Sequence, residues 1–553
     1  MSEQPEIARR VAELIARYSD AGACAARLLC DDHDAGGLAY RIVAADLSAR
    51  DLTYAELTRE SERFAAGLRR LGIAPGDRVA TLMGKSREFL VALMGIWRLG
   101  AVHVPLFTAF APAAIAYRLT GSSARAVVCD AAQQHKLAAG EHIPADAPWQ
   151  VIALGEPALP GAVAFGDLVA GADAPVGPAA LGGDAPLIHI YTSGTTGNPK
   201  GVIVPIRALA SFHAYAEFGL GIRREGDVFW CAADPGWAYG LYFGVLATFL
   251  TGTRSILLSA GFTPETTFAV LEQQRVTNFA AAPTVYRSLR SSGLAHAGLA
   301  LRCASSAGEP LTPEVNEWAQ RVLGVAVHDH YGQTEAGMLI NNHHHPALRR
   351  PLREGSMGHV MPGWSGAILH DERDEPVGPD EVGRVAMDLS ASPLAWFGGY
   401  DGDPAKTAGK ISADGKWYVT GDTGKRDADG YFTFSARDDD VIIMAGYRIG
   451  PFEVESVMAL HPAVAESAVI AVPDPVRGEV IEAFVVVCGG FEAGPALERE
   501  IQQWVKREYA AHAYPRKVHF TPEMPKTPSG KIQRFLLKQR RLEEIAAAAE
   551  ATA

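Results

Sequence analysis

Leu57, Phe64, Leu68 and Leu71 fall on one helical face when the chain is read at 3.6 residues per turn. Thr53 precedes that run with Glu56 three residues on, the pattern of a capping box, and Gly72 stops it. Pro75-Gly76-Asp77 makes a turn into a short apolar strand at 79–83. Ser86 opens a second helical run through Phe89, Leu90, Leu93, Met94 and Trp97, closed by Gly100, and residues 101–105 read as the next strand. The alternation resumes at 125–129, 255–258, 278–281 and 326–328. Helices alternating with short apolar strands predict an α/β fold with a mainly parallel sheet covered on both faces.

The texture shifts along the chain. Pro- and Gly-rich text at 155–186 reads as a surface connection. At 357–435 the short segments GHVMPGW, GRVAMDL, KWYVTGD and GYFTFSAR, separated by Gly, Pro and Asp turns, predict a β-rich subdomain. Beyond Ser435 the pattern becomes a small α+β unit, with strands at 441–444, 468–472 and 483–488 and helices near 452–460 and 496–509. The division expected is an N-terminal domain over 1–436, a small C-terminal domain over 437–541 and an Ala- and Glu-rich tail over 542–553, read as a frayed helix without function. No internal repeat is visible.

Composition narrows the class. A chain of 553 residues exceeds what one core usually holds, which agrees with at least two domains. The net charge of −12 argues against sequence-independent nucleic-acid binding, which needs a basic face, but not against nucleotides. Six scattered cysteines without a CxxC read as free thiols of a reducing cytosol rather than a zinc site. MSEQPEIARRVAEL reads as an amphipathic helix, not a signal peptide, and no stretch approaches the ~18 apolar residues of a membrane span, so a cytoplasmic, soluble protein is expected. His343-His344-His345 reads as a polar loop, since consecutive histidines point apart and rarely chelate one ion.

The densest chemistry is YTSGTTGNPKG at 191–201. Three glycines and the hydroxyls of Thr192, Ser193, Thr195 and Thr196 can offer donors to a polyphosphate, and Lys200 adds a compact positive charge. The glycine spacing is not that of a Walker A loop. Val202, Ile203 and Val204 are β-branched and lead to Pro205, so this loop should join strand to strand and not strand to helix.

YTSGTTGNPKG is followed in order by SAGEP (306–310), YGQTE (331–335), YVTGD (418–422), RDDD (437–440), GYRIG (446–450) and PKTPSGKIQR (525–534). With these motifs the chain resembles the AMP-forming acyl-adenylate superfamily, which includes acyl-CoA synthetases, amino-acid adenylation domains and firefly luciferase. The resemblance covers roughly residues 35–540. It implies a large N-terminal domain of packed mixed sheets with helices, and a small mobile C-terminal domain hinged near Asp439.

It also implies roles. Thr192, Ser193, Gly194, Thr195, Thr196, Gly197 and Lys200 would hold the β- and γ-phosphates of ATP. Gly308, Glu309 and Pro310 would form one wall of the adenine slot and Tyr331 the other, with Gly332 and Gln333 beside it, since stacking recognises the base face. Thr334 would bond the α-phosphate and Glu335 would bind Mg²⁺, which takes one or two carboxylates plus phosphate oxygens. Asp422 would accept from the ribose hydroxyls with Arg437 nearby, and Arg448 would meet the phosphates. Lys531 would bridge the attacking carboxylate and the α-phosphate, neutralising charge that gathers in the transition state. No general base is required, because a carboxylic acid is already ionised at pH 7. Gly446 would border the tunnel through which CoA delivers its thiol.

The acyl pocket implied by the resemblance is lined by Trp237, Ala238, Tyr239, Ala307 and Gly332. Acetate-specific relatives carry tryptophan where this chain has Gly332, so the glycine is expected to open space for several carbons, while Tyr239 fills part of it. No FDxS-like aspartate is present to pair with an α-amino group, and no G-x-D-S carrier segment follows Lys531, so free CoA is the expected acceptor. Arg477 and Arg516 are candidates for its 3′-phosphate. The expected partners are therefore ATP, CoA and a short- to medium-chain carboxylic acid; the alternatives are an aryl-acid CoA ligase and an adenylate ligase that loads a carrier protein.

Overall fold

The computed structural model describes the chain except residues 1–2, 172–173, 193–198, 295, 297, 438–439, 445–446, 475–477, 511–512, 527–531 and 551–553. The expected local signals are realised. Glu56 N–H donates to Thr53 Oγ1 at 3.2 Å and Thr53 N–H to Glu56 Oε2 at 2.9 Å, so both halves of the capping box close at the start of the Tyr54–Arg70 helix. Ser86 caps Arg87–Leu99, which ends on Gly100 at φ +79°. The strand expected at 278–281 is Asn278–Ala281, and that at 79–83 lies one residue earlier, as Arg78–Leu82.

One sheet of seven strands runs in the order Val163–Ala164, Gln150–Leu154, Ala124–Asp130, Arg78–Leu82, Val102–Pro105, Pro186–Thr192, Lys200–Pro205. All its pairs are parallel except the last. A second sheet follows a path of thirteen strands. Its half from Leu38–Val43 to Val327–Gln333 is parallel, and its other half, from Gly337–Asn341 to Gly366–Leu369, is antiparallel. The text at 357–435 is therefore β-rich as expected, and its strands are antiparallel, but Ser356–Val360 pairs with both Gly337–Asn341 and Phe432–Arg437 and makes them continuous with the parallel half.

Seven strands carry the candidate site: β1 (Pro186–Thr192), β2 (Lys200–Pro205), β3 (Cys303–Ala307), β4 (Val327–Gln333), β5 (Gly337–Asn341), β6 (Trp417–Arg426) and β7 (Phe432–Arg437). Residues 442–520 build a separate five-stranded sheet, with Val464–Asp474 against Gly478–Val487 at its centre. Helices Pro451–Met458 and Pro495–Glu508 cover it, and Val454, Met458, Val469, Ile481, Ile501 and Val505 form its own core.

Three expectations are corrected. The 155–186 text is more than a surface connection: Phe165 and Leu168 of the Phe165–Ala170 helix are buried, and Phe165 stacks on Phe64 with ring centroids 4.7 Å apart. Backbone bonds add to these anchors: Ala179 N–H donates to the Arg98 carbonyl at 3.0 Å and Leu181 N–H to the Ala23 carbonyl at 3.1 Å. Residues 542–550 of the tail belong to the Arg534–Glu550 helix, whose Leu537 is buried in the C-terminal core and whose Ile545 packs against it. The histidine run is not a polar surface loop, because His343 and His344 are 3% and 8% exposed. His344 and His345 N–H donate to Gly219 and Phe218 carbonyls at 3.0 and 3.2 Å, which draws the run into the interior. The cysteines are free, and Cys24, Cys30, Cys129, Cys231 and Cys303 are buried. Among the described residues no helix is long and apolar enough to cross a membrane.

Candidate active site

β1 and β2 form an antiparallel pair in which Tyr191 faces Gly201 and Thr192 faces Lys200, so the TSGTTGNPK segment joins strand to strand. Ser193, Gly194, Thr195, Thr196 and Gly197 lie outside the described residues, and Thr192 and Lys200 stand half-buried at its two ends. A Cβ at Gly201 would collide with the buried His189 imidazole, which makes glycine necessary where the hairpin crosses that ring.

β3 and β4 are parallel neighbours, with Ala307 opposite His330. Gly308-Glu309-Pro310 follows directly from the end of β3, and Tyr331-Gly332-Gln333 forms the end of β4. Two of the motifs thus leave adjacent strands at their carboxyl ends, the place where open α/β sheets receive ligands. Gly308 has φ +105°, a backbone that favours glycine. Glu309 is paired with Arg287 at 2.8 Å.

β6 supplies the opposite side. Asp422 is 3% exposed and faces Arg437 across the β6–β7 register, with Arg437 Nη1 3.4 Å from Oδ1. Its Oδ2 accepts from the Tyr331 hydroxyl and, at 2.7 Å, from the Gln333 amide. Gln333 is itself held by Tyr418, whose hydroxyl donates to Oε1 at 2.7 Å, and by the Thr420 carbonyl at 2.9 Å. Asp422 therefore does not stand open on both oxygens: the carboxylate already orients Tyr331, and a ribose would share it. Burial, followed by the Asp422 charge, pushes the Tyr331 phenol well above its ordinary pKa, so it stays a donor.

Two neighbours carry no motif signal. Tyr400 donates its hydroxyl to Glu335 Oε1 at 2.7 Å, and Lys200 Nζ lies 4.9 Å from the centre of the Tyr400 ring. Lys410 donates to the Thr420 carbonyl beside the Gly421 turn, with Glu335 and Asp422 as its nearest opposite charges. Burial lowers the Lys410 pKa, and the two carboxylates only partly oppose that shift. Neither residue was foreseen: Tyr400 is brought in by long-range pairing, since it bridges to Val202 in β2 and Asp401 N–H donates to the Gly201 carbonyl at 2.9 Å, and Lys410 by the fold of the chain around Gly421.

On the acyl side the expected residues divide. Trp237 packs edge-on to Phe110 at 5.4 Å and against Phe107 at 5.6 Å. Tyr239 and Ala238 pack on the main core. The Tyr239 hydroxyl lies 3.2 Å from that of Tyr215, which in turn lies 2.7 Å from His330 Nδ1. His330 Nε2 lies 3.0 Å from the Asn342 carbonyl, which can only accept, so Nε2 carries the proton and Nδ1 accepts from Tyr215. A directional chain results, from Tyr239 through Tyr215 and His330 to Asn342. Gly332 lies against β5. A Cβ there would collide with the Gly337 carbonyl and come within 2.7 Å of Met338 Cα and Sδ, so the glycine is required by the approach of β5.

His328 and His344 stack at 3.7 Å with 15° between their planes. Burial lowers His328 to about 4 and His344 well below the ordinary histidine value, so both are neutral. Ligand atoms of His328, His330 and His344 lie within 4.8 Å of one another. Parallel rings do not aim their in-plane lone pairs at one point, and both nitrogens of His330 are engaged, so this group is a hydrogen-bonded core cluster. Lys531, Asp439, Gly446 and Arg477 lie outside the described residues, as does the side chain of Arg448. The Lys531 segment is bracketed by the Lys526–Ile532 bridge and by Gln533 N–H donating to the Pro525 carbonyl at 2.8 Å. Arg516 stacks on Tyr514 at 3.9 Å.

Known proteins resemble this arrangement throughout. The profile of the AMP-binding enzyme family matches residues 35–390, and that of the AMP-binding enzyme C-terminal domain matches 453–531. Acetyl-coenzyme A synthetase of Bacillus subtilis (strain 168) is 37% identical over 505 residues, covering 88% of this chain and 84% of that protein. The mitochondrial acyl-coenzyme A synthetase ACSM4 of Homo sapiens is 34% identical over 485 residues, covering 85% of this chain and 80% of its own length. The crystal structure of Brucella canis acyl-CoA synthetase superposes with a TM-score of 0.75 at 44% identity, covering 97% of both chains. The chain belongs to the AMP-binding enzyme family, in its acyl-CoA synthetase branch.

Proposed function

We propose that this AMP-forming acid–CoA ligase activates a short- to medium-chain aliphatic carboxylic acid with ATP and passes the acyl group to free CoA. In the first half-reaction the carboxylate oxygen attacks the α-phosphorus; the bond to the β-phosphate oxygen breaks and pyrophosphate leaves. In the second the CoA thiolate attacks the acyl carbon, the carbon–oxygen bond breaks, and AMP leaves.

The observation that carries this reading is the meeting of Glu335, Asp422, Lys410 and the Lys200–Tyr400 pair around the carboxyl ends of β3 and β4. Tyr331, oriented by Asp422, would stack on a base opposite Gly308-Glu309-Pro310. Lys200 and Thr192 would hold the phosphate tail, with Thr334 at the α-phosphate and Arg437 beside the ribose. Lys531 would neutralise charge as carboxylate and phosphate approach. Asp439 is the proposed hinge, Arg448 a phosphate contact and Gly446 a border of the thiol path.

Glu335 fits a Mg²⁺ ligand: Tyr400 occupies Oε1, while among the described residues Oε2 accepts no hydrogen bond. When bound, the ion would draw negative charge from the phosphate oxygens. The size preference rests on Tyr239, which Tyr215 holds in place, and on Met338, which fills the position beside Gly332.

A pyrophosphate-release panel with CoA over straight, branched and aromatic acids from C2 to C12 tests the reading. The highest kcat/KM should fall on short- to medium-chain aliphatic acids, graded by about 1–3 kcal/mol for each methylene the pocket admits or excludes. A preference for aromatic acids would replace it with the aryl-acid reading, and AMP release independent of CoA would favour a carrier-protein acceptor.

A further inference from the structure

Tyr400 sits between two groups from distant parts of the chain that both belong to the proposed nucleotide site. Its backbone is fixed on the β2 side: it bridges Val202, the following Asp401 N–H donates to the Gly201 carbonyl, and its own N–H donates to Thr407 Oγ1 at 2.9 Å. Its ring is buried beside Phe397, with centroids 5.2 Å apart. The hydroxyl reaches Glu335 Oε1 at 2.7 Å, and the face of the ring lies 4.9 Å from the Lys200 ammonium.

A carboxylate whose oxygens are both free turns about its last torsion, which is broad and two-fold. A charge-assisted hydrogen bond to Oε1 removes that freedom and leaves Oε2 at a defined place. Mg²⁺ demands near-ideal octahedral geometry from few protein ligands, so the aim of a single carboxylate oxygen matters. The ring acts differently on Lys200. A π-face attracts the ammonium without neutralising it, and among the described residues Lys200 forms no ion pair, so its full charge remains for an anion.

We propose that Tyr400 is a positioning residue of the nucleotide site, its hydroxyl aiming Glu335 at the metal and its ring seating Lys200 for the phosphates. The inference rests on the reading of Glu335 as the metal ligand and of Lys200 as a phosphate contact. It assigns Tyr400 no bond to substrate.

The test compares Tyr400→Phe, Tyr400→Leu and Glu335→Gln in the full-length enzyme. Mn²⁺ binding to the enzyme–ATP complex is read by electron paramagnetic resonance and ATP–pyrophosphate exchange by rate. Tyr400→Phe keeps the ring and its backbone contacts, so it should melt as the wild type does. It should weaken Mn²⁺ binding about 10-fold, the usual effect of losing a partner that orients a metal ligand, with a similar fall in exchange rate. Its KM for ATP at saturating metal should stay within about two-fold, whereas Tyr400→Leu, which also loses the ring face, should raise that KM. If Glu335→Gln weakens Mn²⁺ binding and Tyr400→Phe does not, the positioning role is overturned while the metal reading stands. If Glu335→Gln leaves Mn²⁺ binding unchanged, the metal reading itself fails. Equal KM values for the Phe and Leu variants would remove the seat proposed for Lys200.

Discussion

The two faces of the candidate site are built on different physical terms. Around the carboxyl ends of β3 and β4, charged side chains from three stretches of the chain converge: Lys200, Glu335, and the Lys410 and Asp422 pair, tied together by Tyr331, Gln333 and Tyr400. On the acyl side, Tyr239, Tyr215, His330, His328 and His344 form a neutral network deep in the core. The first face keeps charge and spends its hydrogen bonds on orienting it. The second expels charge and uses hydrogen bonds to lock shape. A site that handles ATP next to an acyl group needs both, and the boundary runs along β4, where His330 turns inward and Tyr331 meets Asp422.

The largest effect should come from the charged face. Lys531→Ala should lower adenylate formation by at least about 100-fold, as loss of a preorganised transition-state charge does, while largely sparing thioester formation from supplied acyl-AMP. Unchanged pyrophosphate exchange would remove Lys531 from the mechanism. Lys410→Met should come next. It removes the half-buried cation whose charge Glu335 and Asp422 both feel, leaving Asp422 with Arg437, and should slow exchange about 10-fold. The same variant carries a pH signature. A lysine whose folded pKa lies below its unfolded value binds fewer protons in the native state, so stability rises with pH between the two values. That alkaline rise should appear in the wild type and be absent from Lys410→Met in parallel unfolding titrations.

The neutral face should respond more weakly and in selectivity. Tyr239→Ala should shift the optimum toward longer acids by several-fold per added methylene, read in the same acid panel. An unchanged optimum would place the limit of the pocket elsewhere. The smallest effect concerns acid stability. His328 is held near 4 against an ordinary 6.5, so the unfolded chain takes up a proton first and stability is lost as pH falls from about 6.5 toward 4. His328→Gln should flatten that slope, measured as urea midpoints across the window.

The same contrast governs what could be read from the chain. Thr53, Glu56, Ser86 and Gly100 act through neighbours three or four residues away, and their elements appear where their spacing places them. The nucleotide-side motifs are compact runs at strand ends, so YGQTE and YVTGD announce themselves, although β4 extends through Gln333, well past the 326–328 expected. Tyr400 and Lys410 left no trace, because their importance arises from pairing with Val202 and from the fold of the Gly421 turn. Gly332 shows the converse: its identity was legible, but its reason, the approach of β5, was not. His344 looked polar because burial of a neutral histidine depends on partners contributed by Gly219, Ala304 and Ser305.

The central claim is that an acid's carboxylate attacks the α-phosphate held by the charged face. It is tested most directly by running one turnover with an acid carrying ¹⁸O in both carboxylate oxygens, then analysing the phosphates by mass spectrometry. The account predicts AMP bearing one ¹⁸O and unlabelled pyrophosphate. Label in the pyrophosphate, or unlabelled AMP beside formed thioester, would contradict it.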